Sequence, residues 1–537
     1  MTKVIYPFAL MLYFPLCLHA ELRTTMSLDS SFLSYQVSGE DFDDRSSTSL
    51  QIQPSVGAIL NGQRFSASAN ASHRYIDSTN SSSGLDGVDF NDKNNLTNYS
   101  VDSNLQIVQG ILSVNARGSQ SFQNTDTVNS LISNDGFNNS QITKTQTESL
   151  GFNFILDNSN FMGFNLLGYQ THVKTDRSYN SLGGIDSDNS SLSARFYSKE
   201  NFNRVNWYFT GDYIDTNGQG TNDITSYVYS GKVYLGLIND FRLVINGNME
   251  SNEFSSEDVD DVTEIEYNSA GVGLSYYRSA AQHIDVTYNV SSENEGDREQ
   301  FVGVDFDWRF SARTSASGSY GRRFFGDSGR LDFSYGVRKL KATVTYTESV
   351  SNFTRLVAGQ QVSGVIVCPV ASVDFTDCFV PPSSDYTLGP GEEYQSFNFN
   401  LAELSENTTI RKSLQSSIGL NLRRITGSLS LQHSNTEFVE TGREQSSYSV
   451  VASANLSLSR KSNISWSNSY TYTDRSDVDD ASSVTDKTLS SSLSLSHDFS
   501  PKLKTSVRLQ IIDKNSPIQN RDFVSRQLFL RMSYKFK

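Results

Sequence analysis

His433 and His497 each stand among serines, and a serine beside an imidazole is the start of a nucleophilic hydrolase. The other histidines beyond residue 20 are His73, His172 and His283, and none of the five lies in a metal-ligand spacing such as HExxH. The chain has no G-x-S-x-G elbow and no phosphate-binding glycine loop. Serine is so abundant that Ser–His neighbours arise from composition alone, so no enzyme, cofactor or metal is expected. Carboxylates cluster at Glu257, Asp258, Asp260 and Asp261, and such groups are hard ligands for divalent cations. Their spacing fits no EF-hand, and a solvated acidic loop is the simpler reading.

Cys368 and Cys378 are the only cysteines after residue 20, and both lie in the longest polar stretch. In an exported chain they would close a small subloop by a disulfide, with two free thiols as the alternative. No further cysteine or histidine lies near enough to suggest zinc.

What must position these residues begins with a targeting segment. Lys3, the apolar run Val4 to Leu18 and the sequence Leu18-His19-Ala20 read as a signal peptide over residues 1–20. Cys17 raises a lipoprotein anchor instead, but Phe14-Pro15-Leu16 lacks the small residue usual before one. Residues 21–537 read as one domain of successive strands.

In the stretch from Leu331, residues Leu331, Phe333, Tyr335 and Val337 take one side, and Asp332, Ser334 and Gly336 take the other. Leu503, Thr505, Val507, Leu509 and Ile511 alternate in the same way with Lys504, Ser506, Arg508 and Gln510. The last strand sets Leu528, Leu530, Met532, Tyr534 and Phe536 against Arg531, Ser533 and Lys535. Connections alternate as well. Tight ones include Leu60 to Gln63, Arg338 to Lys341, Arg423 to Ile425 and Ser500 to Lys502. Long ones include Ser78–Asn95, Thr125–Ser140, Ser255–Val262, Asn352–Glu393 and Arg475–Asp486.

Sorting of loops by length is the layout of a transmembrane β-barrel. The expected fold is therefore all-β: a large single antiparallel transmembrane β-barrel of about 24 strands (range 22–26), with short periplasmic turns and long acidic extracellular loops. Mean hydropathy is only -0.42, as expected when every second strand residue faces water. Glu40, Asp41, Asp43, Asp44, Asp477, Asp479 and Asp480 add to the acidic long loops. Arg204, Lys339, Lys341, Arg423, Arg424, Arg460, Lys461, Lys502 and Lys504 make the short end basic. No basic domain or stripe suggests nucleic acid.

Arg338, Lys504, Arg508 and Arg531 fall on polar faces and are the candidate lumen-facing charges. Tyr75, Tyr227, Tyr229, Trp466, Tyr470 and Tyr472 lie near strand ends, where interfacial girdles form. Pro54 cannot donate to a ladder, so it is expected at a strand start or a bulge, with the membrane part of the strand beginning after it at Ser55. Strand pattern starts at Ser27, leaving no segment for the plug that a TonB-dependent receptor needs, so active uptake of metal chelates or cobalamin is not expected. The 352–393 loop is expected either to extend outside the cell or to fold into the barrel.

The stretch from Ser311 to Arg355, with SYGRRFFG at Ser319–Gly326 and YTES at Tyr346–Ser349, resembles the PEP-CTERM system-associated outer-membrane protein family. Gln53 to Gly57 and the Trp207 strand resemble it more loosely; the Cys368–Cys378 loop departs from it. The resemblance implies an outer-membrane barrel of a Gram-negative bacterium with exosortase sorting and exopolysaccharide production. It carries over no catalytic residue. The expected function is a passive pore supporting exopolysaccharide export or assembly. The alternative is a closed structural or surface-binding barrel whose loops bind polymer or cations. Expected partners are outer-membrane lipid, the barrel-insertion machinery that reads a C-terminal aromatic strand, and extracellular polysaccharide.

Overall fold

The computed structural model describes residues 21–39, 44–82, 90–124, 142–157, 160–176, 184–199, 204–219, 223–256, 259–279, 281–293, 298–351, 365–369, 392–396, 409–439, 442–476, 483–517 and 522–536. Residues 1–20, read from sequence as a signal peptide, most of the 352–393 loop, the acidic tips and the Cys368–Cys378 pairing lie outside these residues. Among those described, no helix is long and apolar enough to cross a membrane.

The strands run β1 (Glu21–Ser38), β2 (Arg45–Asn61), β3 (Phe65–Ser82), β4 (Phe90–Val108), β5 (Leu112–Asn124), β6 (Ile142–Leu156), β7 (Met162–Thr175), β8 (Asp186–Ser198) and β9 (Val205–Gln219). They continue with β10 (Asp223–Ile238), β11 (Phe241–Ser256), β12 (Val259–Ser279), β13 (Gln282–Glu293), β14 (Arg298–Ser311), β15 (Thr314–Arg323), β16 (Gly326–Val337) and β17 (Leu340–Ser351). A separate hairpin of β18 (Val365–Pro369) and β19 (Glu392–Ser396) follows. The last are β20 (Thr409–Asn421), β21 (Ile425–Phe438), β22 (Arg443–Ser457), β23 (Ser462–Ser476), β24 (Ser483–Ser500), β25 (Leu503–Asn515) and β26 (Phe523–Lys535).

Each barrel strand pairs antiparallel with the next, β17 passes directly to β20, and β1 pairs with β26. The result is a closed, 24-stranded antiparallel barrel. Closure removes the edges that an open sheet would expose.

Strand β13 gives the logic of the wall. Its outward residues Ile284, Val286, Tyr288 and Val290 are 37–53% exposed, whereas Asp285 and Asn289 between them are each 1% exposed. The pattern repeats on β24 and β25, where Leu489, Leu493, Leu495, Val507, Leu509 and Ile511 face outward. In water this arrangement is inverted, because exposed apolar area is unfavourable and buried polar groups are costly. Hydrocarbon outside and hydrogen-bonding partners inside make it favourable.

Aromatic rings edge the outer face. Near the short-turn end Phe241 and Tyr276 lie 5.4 Å apart, Tyr276 and Trp308 6.2 Å, and Tyr534 and Phe536 4.9 Å. Toward the long-loop end Tyr213 pairs with Tyr227 at 5.0 Å and Tyr448 with Tyr472 at 6.2 Å. Of the aromatics named from sequence, Tyr227, Tyr229, Trp466 and Tyr470 are exposed, while Tyr75 and Tyr472 are half-buried.

Pro54 does not start its strand: β2 runs through it, and it sits opposite Leu28 of β1. The proline's missing N–H appears on the other side: the β2–β3 ladder passes from Ile52↔Tyr75 to Ser55↔Ser72 and skips the two residues between. The 255–262 stretch is not a long loop either. Strands β11 and β12 run to Ser256 and from Val259 and form a tall hairpin; Glu257 and Asp258 lie outside the described residues.

Candidate functional site in the barrel interior

Side-chain parity puts one face of every strand inside, and toward the long-loop end many of these inner side chains are buried. There Leu33, Tyr35 and Val37 of β1, Ser47, Ser49 and Gln51 of β2, and Thr171, Val173 and Thr175 of β7 are buried. So are Ser187 and Asn189 of β8, Ser447 and Ser449 of β22, and Ser525 and Gln527 of β26. Residues lining a wide hydrated channel would be accessible; these are not.

One structural cause is visible in the GRRFFG motif. Strand β15 leaves β14 after Tyr320, and β16 joins β17 only from Leu331 onward, yet β15 and β16 stay paired up to Arg323↔Gly326. Residues 321–330 thus form a hairpin tip detached from both neighbours. Gly326 closes its two-residue Phe324-Phe325 turn at φ +99°, a conformation open to glycine and strained for other residues.

The tip crosses to the inner face of strands β11 and β12. Arg323 grips Glu250 of β11 with two bonds, Nε to Oε2 at 3.1 Å and Nη2 to Oε1 at 2.5 Å. The Glu250 side chain is 5% exposed and also accepts from Asn252 Nδ2 at 3.1 Å. Phe324 is buried in one apolar cluster with Tyr267 of β12, Val350 of β17 and Ile410 of β20; Ile265, Phe325 and Val439 pack against it. The tip therefore ties together strands that lie far apart around the barrel. Arg322, next to Arg323, turns instead to Glu299 of β14 at 2.5 Å. Adjacent strand residues point to opposite faces, so one arginine of the pair serves the interior tie and the other the rim.

Below the tip the wall from β9 to β14 is tightly curved, and inner side chains reach past their neighbours. Tyr234 Oη of β10 donates to Asp285 Oδ2 of β13 at 2.7 Å. Lys232 Nζ of β10 lies 3.5 Å from Asp285 Oδ2 and 3.3 Å from Asp305 Oδ1 of β14. His283 Nε2 is 3.7 Å from the same Asp305 oxygen. Asn246 of β11 donates to Asn289 of β13 at 2.8 Å, directly over β12. That crossing needs Gly271, where a Cβ would sit 1.9 Å from Asn289 Oδ1.

The candidate charges named from sequence lie elsewhere. Arg338 is exposed in the β16–β17 turn. Lys504 and Arg508 lie on the β25 face opposite the outward Val507 and Leu509, with the Arg508 guanidinium 4.0 Å from the Phe529 ring. Arg531 Nη2 donates to Asp29 Oδ1 of β1 at 3.2 Å across the closing seam. The structure brings none of these four to the β10–β14 cluster. Sequence reading passed over Lys232, Tyr234, Glu250, Asp285 and Asp305. The available signal was a carboxylate flanked by outward apolar residues, as in Ile284-Asp285-Val286 and Val304-Asp305-Phe306.

The two histidines set among serines are on the outside. His497 Nδ1 is 2.8 Å from Ser462 Oγ, and its ring meets Phe499 edge-on at 4.6 Å. His433 stacks on Tyr448 at 4.2 Å, with Nδ1 3.2 Å from the Ser447 carbonyl oxygen. Both imidazoles serve as aromatic-edge packing.

No family model matches the sequence, and no curated protein matches it. Among solved structures the chain is similar to the FrpB iron transporter from Neisseria meningitidis (F5-1 variant), at 8% identity and TM-score 0.47, covering 95% of this chain and 82% of that one. It is also similar to BauA, the ferric preacinetobactin receptor from Acinetobacter baumannii, at 10% identity and TM-score 0.43, covering 96% and 81%. The copper transporter OprC gives 8% identity and TM-score 0.41, over 96% and 81%. These likenesses are weak, and the chain's function has to be argued from its own residues.

Proposed function

We propose that the chain is an outer-membrane β-barrel of a Gram-negative bacterium that serves exopolysaccharide export or assembly in an exosortase/PEP-CTERM system, as a conduit held closed at its long-loop end. The observation that carries the membrane assignment is the outward apolar face of a closed barrel, edged by aromatic rings at both ends. The basic residues of the short turns fit the same placement, since long cationic side chains extend to lipid phosphates. The polymer assignment rests on the resemblance of the Ser319–Gly326 motif, whose arginine and phenylalanines form the interior tie.

A second reading is a permanently closed barrel whose outer loops bind polymer or cations, and the buried inner wall favours it. Deleting the gene and measuring secreted polymer tests the first reading. Loss of polymer, restored by the wild-type gene, supports export or assembly; unchanged polymer sinks it. Fractionation tests the shared premise: the protein belongs in the outer-membrane fraction with heat-modifiable gel migration.

A further inference from the structure

The β10–β14 cluster sets two carboxylates, Asp285 and Asp305, against one lysine and one imidazole. Asp285 is 1% exposed, and its Oδ2 takes both the Tyr234 hydroxyl and the Lys232 ammonium. Its other oxygen, Oδ1, is buried with no hydrogen-bond partner. A buried carboxylate oxygen left in this state is costly. Asp305 adds a second carboxylate, and one lysine serves both. The nearby guanidinium of Arg242 is engaged elsewhere, 3.6 Å over the Tyr277 ring and 3.2 Å from Asn206 Oδ1.

Into this space comes an imidazole. Among the described residues, His283, Asp285 and Asp305 each offer one ligand atom, and the three atoms lie within 4.8 Å of one another. One nitrogen and two carboxylate oxygens suit a borderline divalent ion such as zinc, bound at about 2.0–2.2 Å. Binding an ion at that distance requires the three donors to draw closer together than they stand here.

We propose that His283, Asp285 and Asp305 form a divalent transition-metal site in the barrel wall, with the Lys232 ammonium holding the cation's place until the metal displaces it. The Lys232 side chain is 28% exposed, so it has a path into the lumen when it leaves. The Tyr234 hydroxyl keeps Asp285 oriented, as outer-shell donors do for metal-bound carboxylates. No chemistry need follow; the bound ion would pin strand β10 to β13 and β14 across the curved wall.

The test is calorimetric titration of zinc chloride into the folded full-length barrel in detergent, with fold checked by heat-modifiable migration. The wild type is expected to bind one equivalent. Lys232→Gln removes the competing cation and is expected to bind at least about tenfold more tightly. Loss of one donor in His283→Ala is expected to weaken binding by at least about tenfold, with His283→Gln in reserve if that variant misfolds. Absence of one-equivalent binding in the wild type overturns the site, even if Lys232→Gln binds, because the cluster is then built for lysine. Wild-type affinity in both His283→Ala and Asp305→Asn overturns it as well.

Discussion

Two sectors of the barrel wall solve the same problem differently. In the β20–β26 sector, inner polar groups bond to the strand next door: Ser434 to Ser447 at 2.9 Å, Ser449 to Thr471 at 3.3 Å, Arg475 to Asp486 at 2.5 Å. In the β9–β16 sector several of them skip strands: Tyr234 to Asp285, Lys232 to Asp305, Asn246 to Asn289, Arg323 to Glu250. The first pattern is satisfied between adjacent strands, by short hydroxyls and by an arginine–aspartate pair. The second is a sharply curved wall whose long, charged side chains meet across the concave side. The specialised residues gather where curvature lets them meet.

The contrast is most sharply tested at its strongest pair. Replacing Arg323 with Ala leaves the nearly buried Glu250 carboxylate without its guanidinium, at a cost of about 3–5 kcal/mol. Hydrogen exchange should then rise over Gly321–Arg330, and the urea midpoint should fall. The matching change in the other sector, Arg531→Ala, breaks a single bond to Asp29 and should cost clearly less. Equal effects would erase the distinction.

A smaller difference is expected from one methyl group. In Gly271→Ala the new Cβ displaces the Asn289 side chain and breaks its bond to Asn246, for about 1–3 kcal/mol. Gly419→Ala meets only the Lys341 carbonyl oxygen at 3.9 Å and should be near neutral by the same urea measurement. Smaller again is Ser434→Ala, which strips one partner from Ser447 and should cost about 1 kcal/mol.

The smallest effect is a pH response at the short-turn end. Lys199 and Tyr197 bond the Asp157 carboxyl and hold it below the usual carboxylate range, the lysine bond being the larger cause. A depressed carboxyl contributes stability above its unfolded value, about 3.9, and loses it as pH falls through the lower folded value. Acidification below about pH 4 should therefore loosen this clasp, a change that Asp157→Asn abolishes. An NMR titration of the Asp157 carboxyl with an ordinary midpoint would contradict it.

Much of the architecture was legible in the sequence because it rests on local chemistry. Period-two alternation in Leu331 to Val337 and Leu503 to Ile511 marks faces, and turn length marks ends. The barrel of 24 strands falls within the expected range. Pro54 is tolerated inside β2 because one strand neighbour suffices where the other ladder is interrupted. The interior sites were not legible. Whether Lys232 meets Asp305 depends on register and curvature across four intervening connections, and no local pattern encodes that sum. The GRRFFG motif stood out as a string, but only the loss of pairing at Tyr320 and Leu331 reveals that it turns inward.

The central claim is that the inner wall is closed off toward the long loops. Single-channel conductance of the refolded barrel in a planar bilayer tests it most directly. The account predicts no large, stable steps from the wild type, because its inner wall is buried around the barrel at that level. Large, persistent steps from the folded wild type would mean an open lumen and would contradict it.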